Sequence, residues 1–261
     1  MTACFSAAGC SLFVDTSDLQ DGDAGVGDAT TGDESSQILD ASGDHAETST
    51  PVDAGSDAST DSGLLDGIVL LLHMNEASWS GAASVHDSSG QANHGTPVNG
   101  AQTTTSGKFG GAALLNGTDW IDVPASASLD GPVTQLTFAA WIYPTALTDG
   151  GLSPGIISKR QAYGMNVAYT LFLSTDNNMY FDLQSYRAFS NLVFGNGQWY
   201  HVAVVYDGTL AAASARASLY INGALDSVAP ADPSLAANGQ DILIGNLPSG
   251  GDIFTGMIDD V

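Results

Sequence analysis

The sequence predicts an all-β fold, a two-sheet antiparallel sandwich, and three observations predict it. The run from Trp199 to Gly208 alternates strictly. Trp199, His201, Ala203 and Val205 share one face, while Tyr200, Val202, Val204 and Tyr206 share the other, which is the period of a strand. Both faces are largely apolar, as in a strand central to a sheet that packs against a second sheet. Asn222-Gly223, closing the run that starts at Ser218, is the favoured dipeptide of a tight hairpin because both residues tolerate positive φ. Finally, short apolar runs recur along residues 68–261, separated by Gly, Pro, Asn or Asp, with no convincing amphipathic helix among them.

Taken in order, Ile68–Asn75 is a dense apolar run. Ala112–Leu115 and Trp120–Val123 flank the turn Asn116-Gly117-Thr118-Asp119. Leu136–Tyr143 alternates, with Leu136, Phe138, Ala140 and Ile142 opposing Thr137, Ala139, Trp141 and Tyr143. Ile156–Lys159, Tyr169–Leu173, Met179–Leu183, Trp199–Tyr206, Ala217–Asn222, Ile242–Ile244 and Phe254–Val261 complete the expected strands.

Composition divides the chain. Residues 1–66 carry 14 acidic residues and no Lys or Arg, and the first basic residue is Lys108. Residues 67–261 carry 15 acids against 5 bases, within a net charge of −24. Residues 15–64 are expected to form a disordered, self-repelling acidic linker, because they hold too little apolar surface to offset roughly 1–2 kcal/mol of backbone entropy per residue. Asp18, Asp21 and Asp23 do not keep the EF-hand spacing. So acidic a surface argues against nucleic acid, whose phosphates require Lys and Arg. Residues 65–261 suit one all-β domain, and no run of 18 apolar residues offers a spanning helix.

Both cysteines, Cys4 and Cys10, lie in the first ten residues, so the domain has no disulfide. Ala7-Ala8-Gly9-Cys10 resembles a bacterial lipobox, with Cys10 as the lipidated residue. Residues 1–14 would then be a signal remnant, lacking the positive n-region of a full signal peptide. That reading implies a surface-tethered, outer-membrane lipoprotein, touching membrane only through its anchor.

The ordered motifs carry a further resemblance. They are Leu70–Glu76, Asp87-Ser-Ser-Gly90, Asn93-His-Gly95, Gly107–Gly117, Leu136–Pro144, Ile156–Lys159, Gly197–Ala203, Leu219–Gly223, Ile244-Gly245 and Phe254–Val261. Together they resemble a laminin-G-like domain of the concanavalin A-like lectin/glucanase superfamily, across 68–261. The resemblance implies a two-sheet antiparallel jelly roll. It also implies a last strand running several residues beyond Val261, so a truncated closing strand is expected here.

The superfamily contains glucanases, which need two carboxylates about 5–5.5 Å or 6.5–9.5 Å apart. Glu76 is the only Glu among residues 65–261, the Glu-x-Asp-x-x-Glu motif is missing, and adjacent Asp259 and Asp260 must face opposite sides of a strand. No Gly-x-Ser-x-Gly elbow or zinc-type His spacing occurs. His73 and His201 read as sheet residues, and His86 and His94 as parts of a structural turn. The resemblance further implies a structural calcium ion held near Asn75 or Glu76, Asn116 with Gly117, and Asp259, since calcium takes carboxylate and carbonyl oxygens. Sugar sites combine an aromatic platform with amide and carboxylate groups. On the concave sheet or its rim, Tyr163, Tyr186, Arg187, Asp176 and Asn177 fit that pattern, with Tyr180 and Asn178 beside them. The expected function is non-catalytic extracellular recognition of a glycan or a surface protein. The alternatives are a structural module of a surface assembly and a degenerate carbohydrate-active enzyme.

Overall fold

The computed structural model of the chain describes residues 67–147, 153–162, 167–248 and 252–261. The lipobox-like segment with Cys10, the acidic linker and Tyr163 lie outside these residues. Among the described residues the strands are β1 (Thr96–Val98), β2 (Gln102–Phe109), β3 (Gly111–Asn116), β4 (Trp120–Val123), β5 (Gln135–Pro144), β6 (Gly155–Lys159), β7 (Tyr169–Leu173) and β8 (Asn178–Leu183). They continue as β9 (Tyr186–Val193), β10 (Tyr200–Asp207), β11 (Ala217–Ile221), β12 (Ala224–Ala229), β13 (Ile242–Ile244), β14 (Asn246–Leu247), β15 (Asp252–Ile253) and β16 (Thr255–Asp259).

Two seven-stranded antiparallel sheets form the sandwich. The first runs β1-β4-β13-β6-β7-β8-β9 and the second β12-β11-β10-β5-β16-β3-β2; β14 and β15 make a small separate ribbon. The strictly alternating strand β10 lies inside the second sheet, between β11 and β5, as its two apolar faces require. Asn222 and Gly223 have φ of 51° and 78°, so the hairpin joining β11 to β12 forms where the dipeptide predicts it.

The core follows from alternation. Leu171 and Leu173 of β7, Met179, Phe181 and Leu183 of β8, and Val202, Val204 and Tyr206 of β10 point inward and are buried. Each such large side chain contributes about 1.5–3 kcal/mol through burial. The residues between them, including Thr170, Phe172, Tyr180 and Asp182, therefore occupy the outer face of the first sheet.

Several expectations shift. Ile68–Asn75 is no ladder strand. Leu72 forms an isolated bridge with Asp87 and exchanges two backbone hydrogen bonds with Val261, at 2.8 and 3.1 Å. Strands β1, β2, β9 and β12 are not among the expected ones. They are edge or near-edge strands whose residues are mostly half-exposed or exposed, so they lack the apolar alternation that a buried face imposes. Tyr186-Arg187, expected on the sheet's rim, instead opens β9. The two-residue connection Gln184-Ser185, with Gln184 at φ 50°, turns the chain directly from β8 into β9.

Candidate functional site

The outer face of the first sheet brings two cross-strand rows together at its β9 edge. Register places Phe172 of β7 opposite Tyr180 of β8, and Tyr180 opposite Phe189 of β9. The three rings form a column, with centroids 5.6 Å apart for Phe172–Tyr180 and 5.3 Å for Tyr180–Phe189, the latter pair stacked at 26°. Such pairs contribute about 0.5–1.5 kcal/mol beyond burial. Phe172 is buried at the inner end, whereas Phe189 ends the column 56% exposed. Tyr180 donates its hydroxyl to Asp176 Oδ2 at 3.0 Å, and burial followed by that bond raises its pKa.

The second row is polar. Asp182 of β8 lies opposite Arg187 of β9 and opposite Thr170 of β7. Arg187 donates Nε to Asp182 Oδ1 at 2.7 Å and Nη2 to Oδ2 at 2.8 Å, a bidentate fork. Its guanidinium also lies 5.4 Å from the Phe172 ring centroid. A second guanidinium, that of buried Arg160, approaches Asp182 Oδ2 at 3.8 Å. Buried beside them, the hydroxyls of Ser158 and Thr170 have no hydrogen-bond partner.

Round the edge, β9 meets β12 in an open cleft of about 530 Å³, lined by Arg187, Phe189, Asn191, Leu225, Ser227 and Val228, among others. Asp226 builds it. Its Oδ2 accepts the Asn191 backbone N–H at 2.7 Å and its Oδ1 accepts that of Leu192 at 3.1 Å, so one carboxylate satisfies part of the open β9 edge. Ser227 is also among the lining residues, and its hydroxyl is buried without a partner. Phe189 has one ring face against Tyr180 and its exposed portion in the cleft. The arrangement can stack an apolar ring face while hydrogen-bonding its polar rim.

Among the expected ligand residues, Arg187 stands in the cleft. Tyr186 is adjacent but opposite Leu183, on the other face parity, and is 37% exposed. Asp176 and Asn177 lie at the far end of β8. Asn177 takes the left-handed φ of 62° in the β7–β8 turn, and only Asp176 connects to the aromatic column, through Tyr180. Sequence reasoning missed Phe189, Asp182, Asp226 and Ser227. The two-residue β8–β9 connection carries a signal for Asp182, because it fixes Asp182 opposite Arg187. No sequence signal places β12 beside β9.

The expected metal residues separate. Asp259 lies under the β2–β3 hairpin, where its Oδ2 accepts the Lys108 and Phe109 N–H groups at 2.8 and 3.0 Å. Its Oδ1 is buried without a partner, and burial raises the carboxyl's pKa. Asn75 reaches the same hairpin, accepting the Gly111 N–H at 2.5 Å. Asn116 pairs with Thr255, four residues along β16 from Asp259 and thus on the order of 13 Å away, with Gly117 beside it. Glu76 accepts from Trp79 Nε1 and the His86 N–H within its own loop. The histidines follow suit: His73 bonds Asp260 at 2.8 Å, His201 packs on Trp141 with its pKa lowered by burial, and His94 accepts the Asp87 N–H.

These features define a two-sheet, lectin-like sandwich with an edge cleft. A family model for the laminin G domains of the concanavalin A-like lectin/glucanases superfamily matches residues 115–261, and the chain belongs to that family. No curated protein matches the chain significantly. Domain 4 of the extracellular arabinanase AbnA from Geobacillus stearothermophilus, solved with arabinotriose, is similar at 20% identity and TM-score 0.54, over 74% of this chain and 89% of that one. A botulinum neurotoxin type C structure, concerned with cell entry through two ganglioside molecules, is similar at 16% identity and TM-score 0.57 over 76% of this chain. The binding domain of Paraclostridial mosquitocidal protein 1 is similar at 15% identity and TM-score 0.56 over 75%. The chain spans about half the length of these two toxin structures, 48% of each. At such identities the likeness is one of fold.

Proposed function

We propose that the chain is a non-catalytic, extracellular recognition module that binds carbohydrate in the cleft between β9 and β12. The observation that carries this reading is an exposed ring, Phe189, beside the part-exposed guanidinium of Arg187, which the Asp182 carboxylate holds in place from the neighbouring strand. Glycans require that pairing: the ring stacks the sugar's apolar face, and fixed polar groups grip its hydroxyls. The arabinotriose with which the arabinanase domain was solved and the gangliosides of the neurotoxin structure support a sugar as ligand. Binding of the full chain to an immobilised glycan panel tests the reading. Phe189→Ala should weaken the best ligand by about tenfold, roughly one stacking contact. Unchanged binding in that variant would place the site elsewhere.

A structural calcium ion at the β2–β3 hairpin belongs to the same proposal. The orphaned Asp259 Oδ1 suits a hard cation, and Asn75 supplies an amide oxygen on the same hairpin. When bound, such an ion would balance the buried carboxylate. Attachment to the membrane through a lipid on Cys10 completes the proposal. Cys10→Ala should move the protein from the membrane fraction to the soluble one.

A further inference from the structure

A second group of aromatic side chains stands on the outer face of the second sheet and shares no residue with the β9–β12 cleft. Alternation puts Ala140 and Ile142 of β5 and Tyr200, Val202 and Val204 of β10 in the core. Trp141, Tyr143 and His201 therefore point outward, as does Trp199 just before β10. Register sets His201 opposite Trp141, with ring centroids 5.1 Å apart. One step along the strands, Trp199 and Tyr143 have centroids 5.4 Å apart. The β2–β3 hairpin adds Phe109, edge-on to Trp141 at 5.7 Å and 52% exposed. It also adds Lys108, whose Nζ lies 4.5 Å from the Trp141 ring centroid.

These rings are part-exposed, and their polar tips face water. The indole Nε1 atoms of Trp141 and Trp199, the Tyr143 hydroxyl and the His201 ring nitrogens have no hydrogen-bond partner among the described residues, and none of them is buried. Lys108 is exposed and pairs with no described carboxylate. Apolar ring surface rimmed by unsatisfied donors and acceptors is the complement of a sugar. Geometry narrows the class. The paired rings are inclined at 55° and 57°, so they form notches and not the flat platform that a crystalline polymer surface requires. Trp141 and Tyr143 are two residues apart on β5, roughly 7 Å, so neighbouring sugars of one chain can each meet an aromatic. Area argues against a protein partner. A Phe, Tyr or Trp side chain offers about 150–250 Å² in full, so four part-exposed rings leave on the order of 300 Å². A standard protein interface takes roughly 800 Å² from each partner.

We infer that the outer face of the second sheet is a second carbohydrate-binding surface, for a short stretch of a soluble, linear oligosaccharide, so that the protein holds glycan at two separate places. The four tryptophans give the test. Trp141 and Trp199 lie on this face, Trp79 bonds Glu76 in its loop, Trp120 belongs to β4 of the first sheet, and none lines the β9–β12 cleft. The indole N–H signals of the full chain, assigned by single Trp→Phe substitutions, would be followed by NMR during titration with linear gluco-, xylo- and arabino-oligosaccharides. In at least one series the Trp141 and Trp199 signals should shift in a saturable way while those of Trp79 and Trp120 stay. The shifts should persist in Phe189→Ala, which alters only the cleft, and Phe109→Ala should weaken them about fivefold, one exposed ring contact. The wild-type titration stands whether or not a variant folds. Sugar binding that leaves the Trp141 and Trp199 signals unmoved and is weakened by Phe189→Ala would overturn the second surface and leave the cleft reading intact. Binding of no series would overturn both. Broadening of the two signals with protein concentration alone would make this face a contact between copies of the chain and overturn the inference.

Discussion

At the scale of single residues, two buried aspartates behave in opposite ways, for reasons set by their partners. Burial alone would raise the pKa of Asp87, but hydrogen bonds outweigh it: from the Ser89 N–H and hydroxyl, then from the Leu71 and Asn93 N–H groups. The carboxyl is held below its usual range. A depressed folded pKa gives stability that is present above the unfolded value, near 3.8, and lost as pH falls through the folded one. Asp87→Asn should cost about 2 kcal/mol at pH 7 by chemical denaturation, and its deficit against wild type should shrink below about pH 4. Asp259 has two backbone donors on one oxygen and none on the other. Calcium should therefore raise the melting temperature of wild type, chelation should reverse it, and Asp259→Ala should respond to neither. Equal melting of wild type with calcium and with chelator would remove the ion from the proposal.

At the scale of elements, β16 shows how closely the central strands are fitted. It lies between β5 and β3, and Gly256 adopts φ 143°, where a Cβ would come 2.1 Å from the Tyr143 carbonyl oxygen. Backbone on a central strand cannot retreat as a flexible side chain can. Gly256→Ala should therefore cost about 3 kcal/mol or more by denaturant titration. The β9 edge depends instead on a borrowed group. Asp226→Ala removes the acceptor for two β9 N–H groups beside exposed Phe189, Leu192 and Val193. Light scattering should then show faster self-association of that variant, by strand-edge pairing. The internal strands were legible in the sequence because burial on one or both faces imprints alternation. β9 and β12 were not, because their packing is mostly at an edge. The candidate site was thus half visible: Arg187 stood out, while Phe189 lay in a segment with no strand signature.

At the scale of the whole molecule, the excess of acidic residues governs how the fold responds to salt. Residues 67–261 carry 15 acids against 5 bases, so the bases offset only part of the acidic charge and long-range repulsion remains. Salt shortens the reach of that repulsion to about 8–10 Å near physiological strength. Raising NaCl from about 10 to 300 mM should lift the melting midpoint by roughly 2–4 °C, the shift expected for about 1 kcal/mol in a domain of this size. A midpoint that falls instead would mean that attractive pairs outweigh the repulsion.

The sequence by itself determined the fold class, the inward faces of the internal strands, the Asn222-Gly223 hairpin and the acidic balance. Each is written in local spacing, since period-two alternation and turn chemistry involve neighbours along the chain. The tertiary structure alone decided that Asp226 reaches across to β9, 35 residues earlier. It also decided that Arg160 and Arg187 share one carboxylate, and that Asn75 and Asp259 meet at one hairpin while Asn116 does not. Those contacts depend on which sheet edges come together when the two apolar faces close on each other, and a one-dimensional pattern does not encode that pairing.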